Sequence, residues 1–263
     1  MYSFVRGIKQ ANIPAAQPKR ILDRLYALDT NTLSDALDFL GLKGATVGIR
    51  PLWGSPKVVG RACTVQLAAK SDRAPTAHLI SPVIDAVEDS ERVLVVAGGI
   101  DGVSCWGDIL ANAARIKRIR GTIIDGYSRD IKGSMDIGYP VFGRGITMVS
   151  VRNRLAQIES GSPFKIAGVT VQEGDYVIAD VCGTVFIPQD KVNEVLDLGE
   201  RIDRRLCSRP FSLDNLSVKP CTTKISRRSV GAKQMSNHQA PLRNMNPCHR
   251  LVSSKCVNRS RRT

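Results

Sequence analysis

The sequence predicts an α/β fold organised around a parallel strand, crossover helix, strand unit that ends at Asp130. Three observations predict it. An apolar run from Arg92 to Val96 delivers the chain to Gly98-Gly99, a segment starting at Trp106 takes on helical periodicity, and a second apolar run, Thr122-Ile123-Ile124, follows it. Ligands in such sheets bind past the carboxyl ends of the strands, where the loops gather. Here those loops carry Gly98 to Asp108 and Gly126 to Asp130, so Asp101, Asp108, Arg129 and Asp130 are the polar groups expected to converge.

Upstream, Ile21 to Leu40 reads as two short helices, the second capped by Thr30 or Thr32 and closed by Gly41 and Gly44. Val58 to Ala68 alternates as a strand with one buried face, and Leu79 to Val87 reads as a helix laid on the sheet. The helix from Trp106 places Ile109, Ala113 and Ile116 on one face, with Leu110 and Ala114 beside them. Asp108 falls in its first turn, where a carboxylate complements the unpaired amides of Ile109 and Leu110. A short helical turn after Asp130 leads to a strand at Gly138-Tyr139-Pro140-Val141-Phe142, and a hairpin-rich section runs from Phe164 to Ile187. Pro188 opens a last helix to about Leu206, with Val192, Val195, Leu196, Ile202 and Leu206 as its stripe.

Composition sets the class. Hydrophobic residues make up 43% of the 263, enough for a real core, while aromatic residues make up 5%, so that core is aliphatic. Seven scattered cysteines form no CxxC pair, which argues against a structural zinc site and for a reducing, cytoplasmic setting. The first twenty residues lack the apolar centre of a signal peptide, and no run approaches the length of a membrane span. From Arg209 onward there are twelve Lys or Arg against one acid, Asp214, so the tail holds eleven of the fourteen excess positive charges. That tail, 209 to 263, is expected to be a mobile, disordered extension to a folded domain of residues 1–208; its basicity gives weak attraction to nucleic acid at most. The histidines, His78, His238 and His249, have no metal-binding or catalytic spacing.

Taken singly, the central residues admit bland roles. Gly98-Gly99 can make a turn, Asp108 can complement a helix dipole, Arg129 and Asp130 can form a surface ion pair, and the cluster Arg115, Lys117, Arg118 and Arg120 can be a solvated helix end. Their order and spacing carry more. Trp106-Gly107-Asp108, twenty intervening residues, then Arg129-Asp130 within Gly126-x-x-Arg129-Asp130 resembles the family of metal-dependent 4-hydroxy-4-methyl-2-oxoglutarate aldolases and regulators of ribonuclease activity A. Thr32 to Leu37, Val59-Gly60-Arg61-Ala62, Gly138 to Phe142, Gly168 to Val171 with Gly174-Asp175, and Asp180-x-x-Gly183-x-Val185-x-Ile187-Pro188 extend the resemblance over residues 20 to 205.

The resemblance implies a swivelling β/β/α domain, an αββα-type sandwich, assembled as a homotrimer or hexamer. It also implies a divalent cation, Mg²⁺ or Mn²⁺, held directly by Asp130 and through water by Asp108. Arg129 would grip and activate a small 2-oxo acid, with the backbone at Gly107, Ile109 and Leu110 completing the anion cradle. The expected activity is carbon–carbon cleavage that releases pyruvate, with oxaloacetate decarboxylation as a companion; the alternative is a non-enzymatic regulator acting by protein contact. No lysine accompanies the strand ends in the core motif, which favours metal over Schiff-base chemistry. The sequence departs from its relatives where Arg204, Arg205 and Leu206 stand near a usual acid, with Glu200 and Asp203 nearest, and where Cys182 replaces an acid before Gly183.

Overall fold

A computed structural model describes residues 20–71 and 79–208, with the side chains of 206–208 excepted. The first nineteen residues and the basic tail lie outside the described residues, and with them the expected disorder and the boundary at 208.

The chain opens with α1 (Ile21–Ala27) and α2 (Thr30–Phe39), then β1 (Arg50–Pro51), β2 (Val58–Ala69), α3 (Ser81–Ala86) and β3 (Arg92–Ala97). The central part is β4 (Ser104–Trp106), α4 (Asp108–Ile116), β5 (Thr122–Ile124), β6 (Tyr127–Ser128), α5 (Ile131–Asp136), β7 (Val141–Gly143) and β8 (Gly145–Ile146). It closes with β9 (Leu155–Ser160), β10 (Phe164–Ile166), β11 (Val169–Val171), β12 (Tyr176–Asp180), β13 (Gly183–Ile187) and α6 (Val192–Ser208).

The main sheet has the order β1-β7-β5-β3-β2-β12-β13, with β9 also paired to β2. Strands β2, β3, β5 and β7 are parallel; β1, β9, β12 and β13 run antiparallel to their neighbours. The alternation of β3 shows how the layers form. Leu94 and Val96 enter a cluster with α3 and α4, whereas Val93, Val95 and Ala97 enter one on the opposite face that the β10–β11 hairpin covers. A third cluster packs α1, α2 and α6 over β2, β12 and β13 through Leu25, Leu33, Val59, Ile178 and Val195. Helices on one face and a β-ribbon on the other make the α/β, swivelling β/β/α arrangement.

Local expectations differ from the structure at several places, among them the helix read from Trp106, which begins at Asp108 after Trp106 ends β4. Strand β2 is buried on both faces, because it is central and both helices and hairpin cover it. The cap of α2 is Asp29, whose carboxylate accepts from Thr32 N–H at 2.7 Å; Thr30 begins the helix instead. The last helix begins at Val192, after a turn in which Lys191 N–H donates to Pro188 O. On α4, Ala111 and Ala114 are the buried positions while Ile109 and Ile116 are 76% and 80% exposed. Small side chains let this helix approach the sheet, and that closeness decides the face over hydropathy.

Gly98 has φ +82, and a Cβ there would stand 1.9 Å from Leu67 O. It is an obligatory close approach between β2 and the end of β3. Gly98→Ala is expected to cost about 3 kcal/mol by urea denaturation, from overpacking added to left-handed strain. Gly102→Ala, at φ +71 with open space around it, is expected to cost about 1 kcal/mol; equal losses would remove the steric part of the argument.

Arg24 fastens α1 to α6, reaching Glu200 at 2.8 Å and Asp197 at 2.6 Å. The hydrogen bond from Arg24 holds the Glu200 carboxyl below its ordinary range, so its contribution is present above the unfolded-state value and is lost as pH falls through the lowered one. Glu200→Gln is expected to lower stability by about 1 kcal/mol at neutral pH, with the gap to wild type closing below about pH 4. A gap that stays constant with pH would contradict this.

Candidate active site

The catalytic-looking residues are set by a second, three-stranded sheet, β4-β6-β8, at the carboxyl ends of the main strands. Strands β4 and β6 run parallel, with Ser104 opposite Tyr127 and Trp106 opposite Ser128, and β8 flanks β6. Parallel neighbours end at the same side. The residues that follow them, Gly107-Asp108 and Arg129-Asp130, therefore emerge together, and Arg129 N–H donates to Trp106 O at 3.0 Å.

Two glycines measure how close the pieces come. A Cβ on Gly107 would lie 3.4 Å from Asp130 Oδ2 and 3.5 Å from Arg129 Cγ; one on Gly133 would lie 2.5 Å from Asp108 Cβ. Helix α5 is thus pressed onto the start of α4, and each aspartate borders a glycine of the other's segment. Asp130 itself is left-handed, at φ 52 and ψ 36, immediately before α5. That conformation is uncommon outside glycine, though aspartate tolerates it, and here it turns the chain sharply at the one position expected to touch a cation.

The polar contacts leave part of each group free. Arg129 Nε donates to Asp130 Oδ2 at 2.8 Å, and among the described residues no partner engages its two terminal nitrogens. At 40% and 42% side-chain exposure this pair adds little to stability. Its consequence is orientation, since Nε is fixed and the outer fork is presented to a ligand. Asp108 Oδ1 accepts from Ile109 N–H at 2.8 Å. Of the expected cradle, the Ile109 amide is therefore already used, and the Leu110 amide, in the first turn without an intrahelical acceptor, is the one left for an anion. Among the described residues Asp108 and Asp130 each keep one carboxylate oxygen unengaged.

Asp108, Arg129, Asp130, Gly107, Ile109 and Leu110 all line one cavity of about 440 Å³. Its other walls are Trp106, Cys105 and Ser104 from β4, Lys70 beyond the end of β2, Leu79, and Ser150 to Asn153 with Leu155. The core motif brings no lysine to the cavity, but Lys70, which lies outside that motif one residue past β2, lines it. Asp101 is not in this wall; its carboxylate accepts from Tyr127 OH at 2.6 Å. Gly98 and Gly99 are also absent from it, and their role is close packing against Leu67 and Asp125 backbone. The Cys105 thiol is pushed up to about 12 by burial, so it stays protonated and is no nucleophile near neutral pH. Trp106 is buried, stacked on Tyr139 at 6.2 Å, and its indole N–H has no hydrogen-bond partner among the described residues.

The donor set suits a hard cation that keeps most of its water. Two carboxylate oxygens flank an open cavity, and among the described residues no cluster of three acidic, thiol or imidazole groups forms a closed protein cage. Lys117 and Arg120, from the basic cluster, donate instead to the carbonyls of Asp85, Ser90 and Val59. Among the described residues no helix is long and apolar enough to cross a membrane.

Comparison with known proteins places this geometry. The RraA-like model, described as aldolase/RraA, matches residues 30–186. Protein DlpA of Legionella pneumophila is 33% identical over 67% of this chain, which spans 29% of that protein's length. A Halalkalibacterium halodurans protein, provisionally named a 4-hydroxy-4-methyl-2-oxoglutarate aldolase, is 32% identical over 68% of this chain and 82% of its own. Among solved structures, an uncharacterised Pseudomonas syringae protein superposes with a TM-score of 0.63 at 34% identity, covering 71% of this chain and 88% of its own. Streptomyces coelicolor RraAS2, described as an unusual member of the RNase ES inhibitor RraA family, gives 0.65 at 26% identity, covering 74% of this chain and all of its own. With its fold, its Asp108 to Arg129-Asp130 spacing and these matches in agreement, the chain belongs to the RraA-like, aldolase/RraA family.

Proposed function

We propose that the protein is a divalent-metal-dependent carbon–carbon lyase that releases pyruvate from 4-hydroxy-4-methyl-2-oxoglutarate or a related 4-hydroxy-2-oxo acid, with oxaloacetate decarboxylation as a companion activity. The observation that carries the reading is the single cavity shared by Asp108, Arg129 and Asp130. In this reading the fork of Arg129 grips the 2-oxo acid carboxylate, and the Leu110 amide supports it at the start of α4. Asp130 and, through water, Asp108 would hold Mg²⁺ or Mn²⁺. When bound, the cation supplies positive charge for the enolate that cleavage leaves on pyruvate. Asp108 accepts the hydroxyl proton by way of a water as the C3–C4 bond breaks. The same enolate follows loss of carbon dioxide from oxaloacetate, which is why one site serves both reactions. Exposed Ile109 and Ile116 on α4, with Met135 on α5, provide an apolar surface beside the site for assembly into a homotrimer or hexamer.

One observation favours the alternative of a regulator that acts by protein contact. Of the two acids nearest the departure in α6, Glu200 is engaged by Arg24 of the same chain and is not free to serve a neighbouring site, which leaves only Asp203. Pyruvate release separates the two readings. With either oxo acid, turnover is expected to need added Mg²⁺ or Mn²⁺ and to stop on chelation; absence of turnover on all such substrates, with metal present, would leave the regulator. Arg129→Lys is expected to lose at least ~100-fold in kcat/KM although the charge remains, because a point charge replaces the fork. Near-normal turnover in that variant would remove Arg129 from the assigned role.

A further inference from the structure

We infer that Gly133 is a positioning residue of the proposed cation site: its missing side chain lets α5 close onto Asp108, and that contact sets the separation between the Asp108 and Asp130 carboxylates. The inference rests on the proposed metal reading, but not on which oxo acid is cleaved or on turnover at all.

A glycine inside a helix weakens it relative to alanine, and Gly133 stands third among the six residues of α5. Its backbone does not require a glycine, because its φ lies outside the left-handed region that other glycines of the chain occupy. The reason is a neighbour. A Cβ on Gly133 would lie 2.5 Å from Asp108 Cβ, 3.4 Å from its Oδ2 and 3.5 Å from its Cγ, and these are the three nearest atoms. The first contact is the decisive one. Rotation about the Cα–Cβ bond moves the Asp108 carboxylate but not its Cβ, so no change of rotamer relieves it. One of the two helices has to move.

The surroundings select which. Helix α4 is seated on the sheet by the fully buried Ala111 and Ala114, and its first residue is Asp108 itself, whose Oδ1 accepts from Ile109 N–H at 2.8 Å. Helix α5 is shorter and carries one buried residue, Ser134, so it is the piece that yields. Asp130 moves with it, because Gly133 N–H donates to Asp130 O at 3.0 Å and the left-handed Asp130 leads directly into the helix. A single methyl group at position 133 therefore widens the gap between the two acids without removing either. Gly107 closes the same gap from the other side, where a Cβ would lie 3.4 Å from Asp130 Oδ2. Two carboxylates offered to one hard cation, one directly and one through water, lose affinity when their spacing departs from what the ion and its water need.

The test uses full-length protein with Mn²⁺ as the probe, its binding followed by electron paramagnetic resonance of the free ion, and thermal melts run in chelator. Gly133→Ala is expected to weaken Mn²⁺ binding at least ~10-fold and to lower Tm by at least ~3 °C, although alanine is the better helix former. In an Asp108→Gly background the obstructing Cβ is gone, and the same change should leave Tm within ~1 °C or raise it. In an Asp108→Ala background, which keeps the Cβ and lacks the carboxylate, Gly133→Ala should still lower Tm but change the residual Mn²⁺ affinity by no more than ~2-fold; further loss of affinity there would mean a generally loosened site and reject the positioning role. Should Gly133→Ala alone not fold, recovery of the fold when Asp108→Gly is added supports the contact, and failure to recover overturns it. Mn²⁺ bound equally by wild type and Gly133→Ala would overturn the inference and leave the metal reading standing, as would the same Tm loss with and without the Asp108 Cβ. Absence of Mn²⁺ binding by the wild type would overturn both.

Discussion

The hydrogen bond from Arg129 N–H to Trp106 O, one rung of a parallel pairing between two very short strands, is the constraint on which the site depends. Segments separated by a helix and a core strand come to lie side by side because β4 and β6 each continue past the main sheet and then pair with each other. Everything that follows those strands inherits the proximity. The pressing of α5 onto α4 at Gly133 and the left-handed turn at Asp130 then fix how the side chains leave the backbone. The strain is local and its surroundings over-determine it, which is how such conformations persist at functional positions.

Several of the residues that carry the family resemblance turn out to hold the scaffold. Asp180 accepts from Thr30 N–H, Thr30 Oγ1 and Cys182 N–H, and so fastens the start of α2 to the β12–β13 turn. Arg61 reaches Gly174 O and Gln189 Oε1, and Asp175 brackets the same turn through the amides of Gln172 and Gln189. Burial raises the Asp175 carboxyl, which the two amide bonds partly offset. Motifs of this kind recur with the fold because the turns need them. Only the Asp108 and Arg129-Asp130 pieces reach the cavity.

The strand and helix order around Asp130 was legible because long buried strands such as β3 announce themselves by apolar runs, and the two site motifs stand at their carboxyl ends. Strands β4 and β6 were not legible. Three and two residues cannot display a period, and Ser104 and Tyr127 read as loop. The face of α4 was misjudged for a different reason: hydropathy favours isoleucine, whereas a helix pressed onto a sheet selects alanine at the contact. Lys70 and Arg152 escaped notice because neither belongs to an element or a motif. They line one cavity only because the turn before β9 folds back against the end of β2, a long-range contact that no local pattern encodes. Asp101 failed in the opposite direction, since sequence proximity to the site motif did not survive its hydrogen bond to Tyr127.

The chain has two tryptophans, and both address Tyr139: Trp53 donates its indole N–H to the tyrosine carbonyl at 3.0 Å, while Trp106 stacks on the ring. One indole is thus spent on the backbone and the other forms cavity wall with its N–H unsatisfied. Trp106 lines the cavity and Trp53 does not, so an occupant of the cavity would change the surroundings of one emitter and leave those of the other. Occupancy is therefore expected to register in the intrinsic fluorescence of the unmodified chain, with no label and no coupled enzyme.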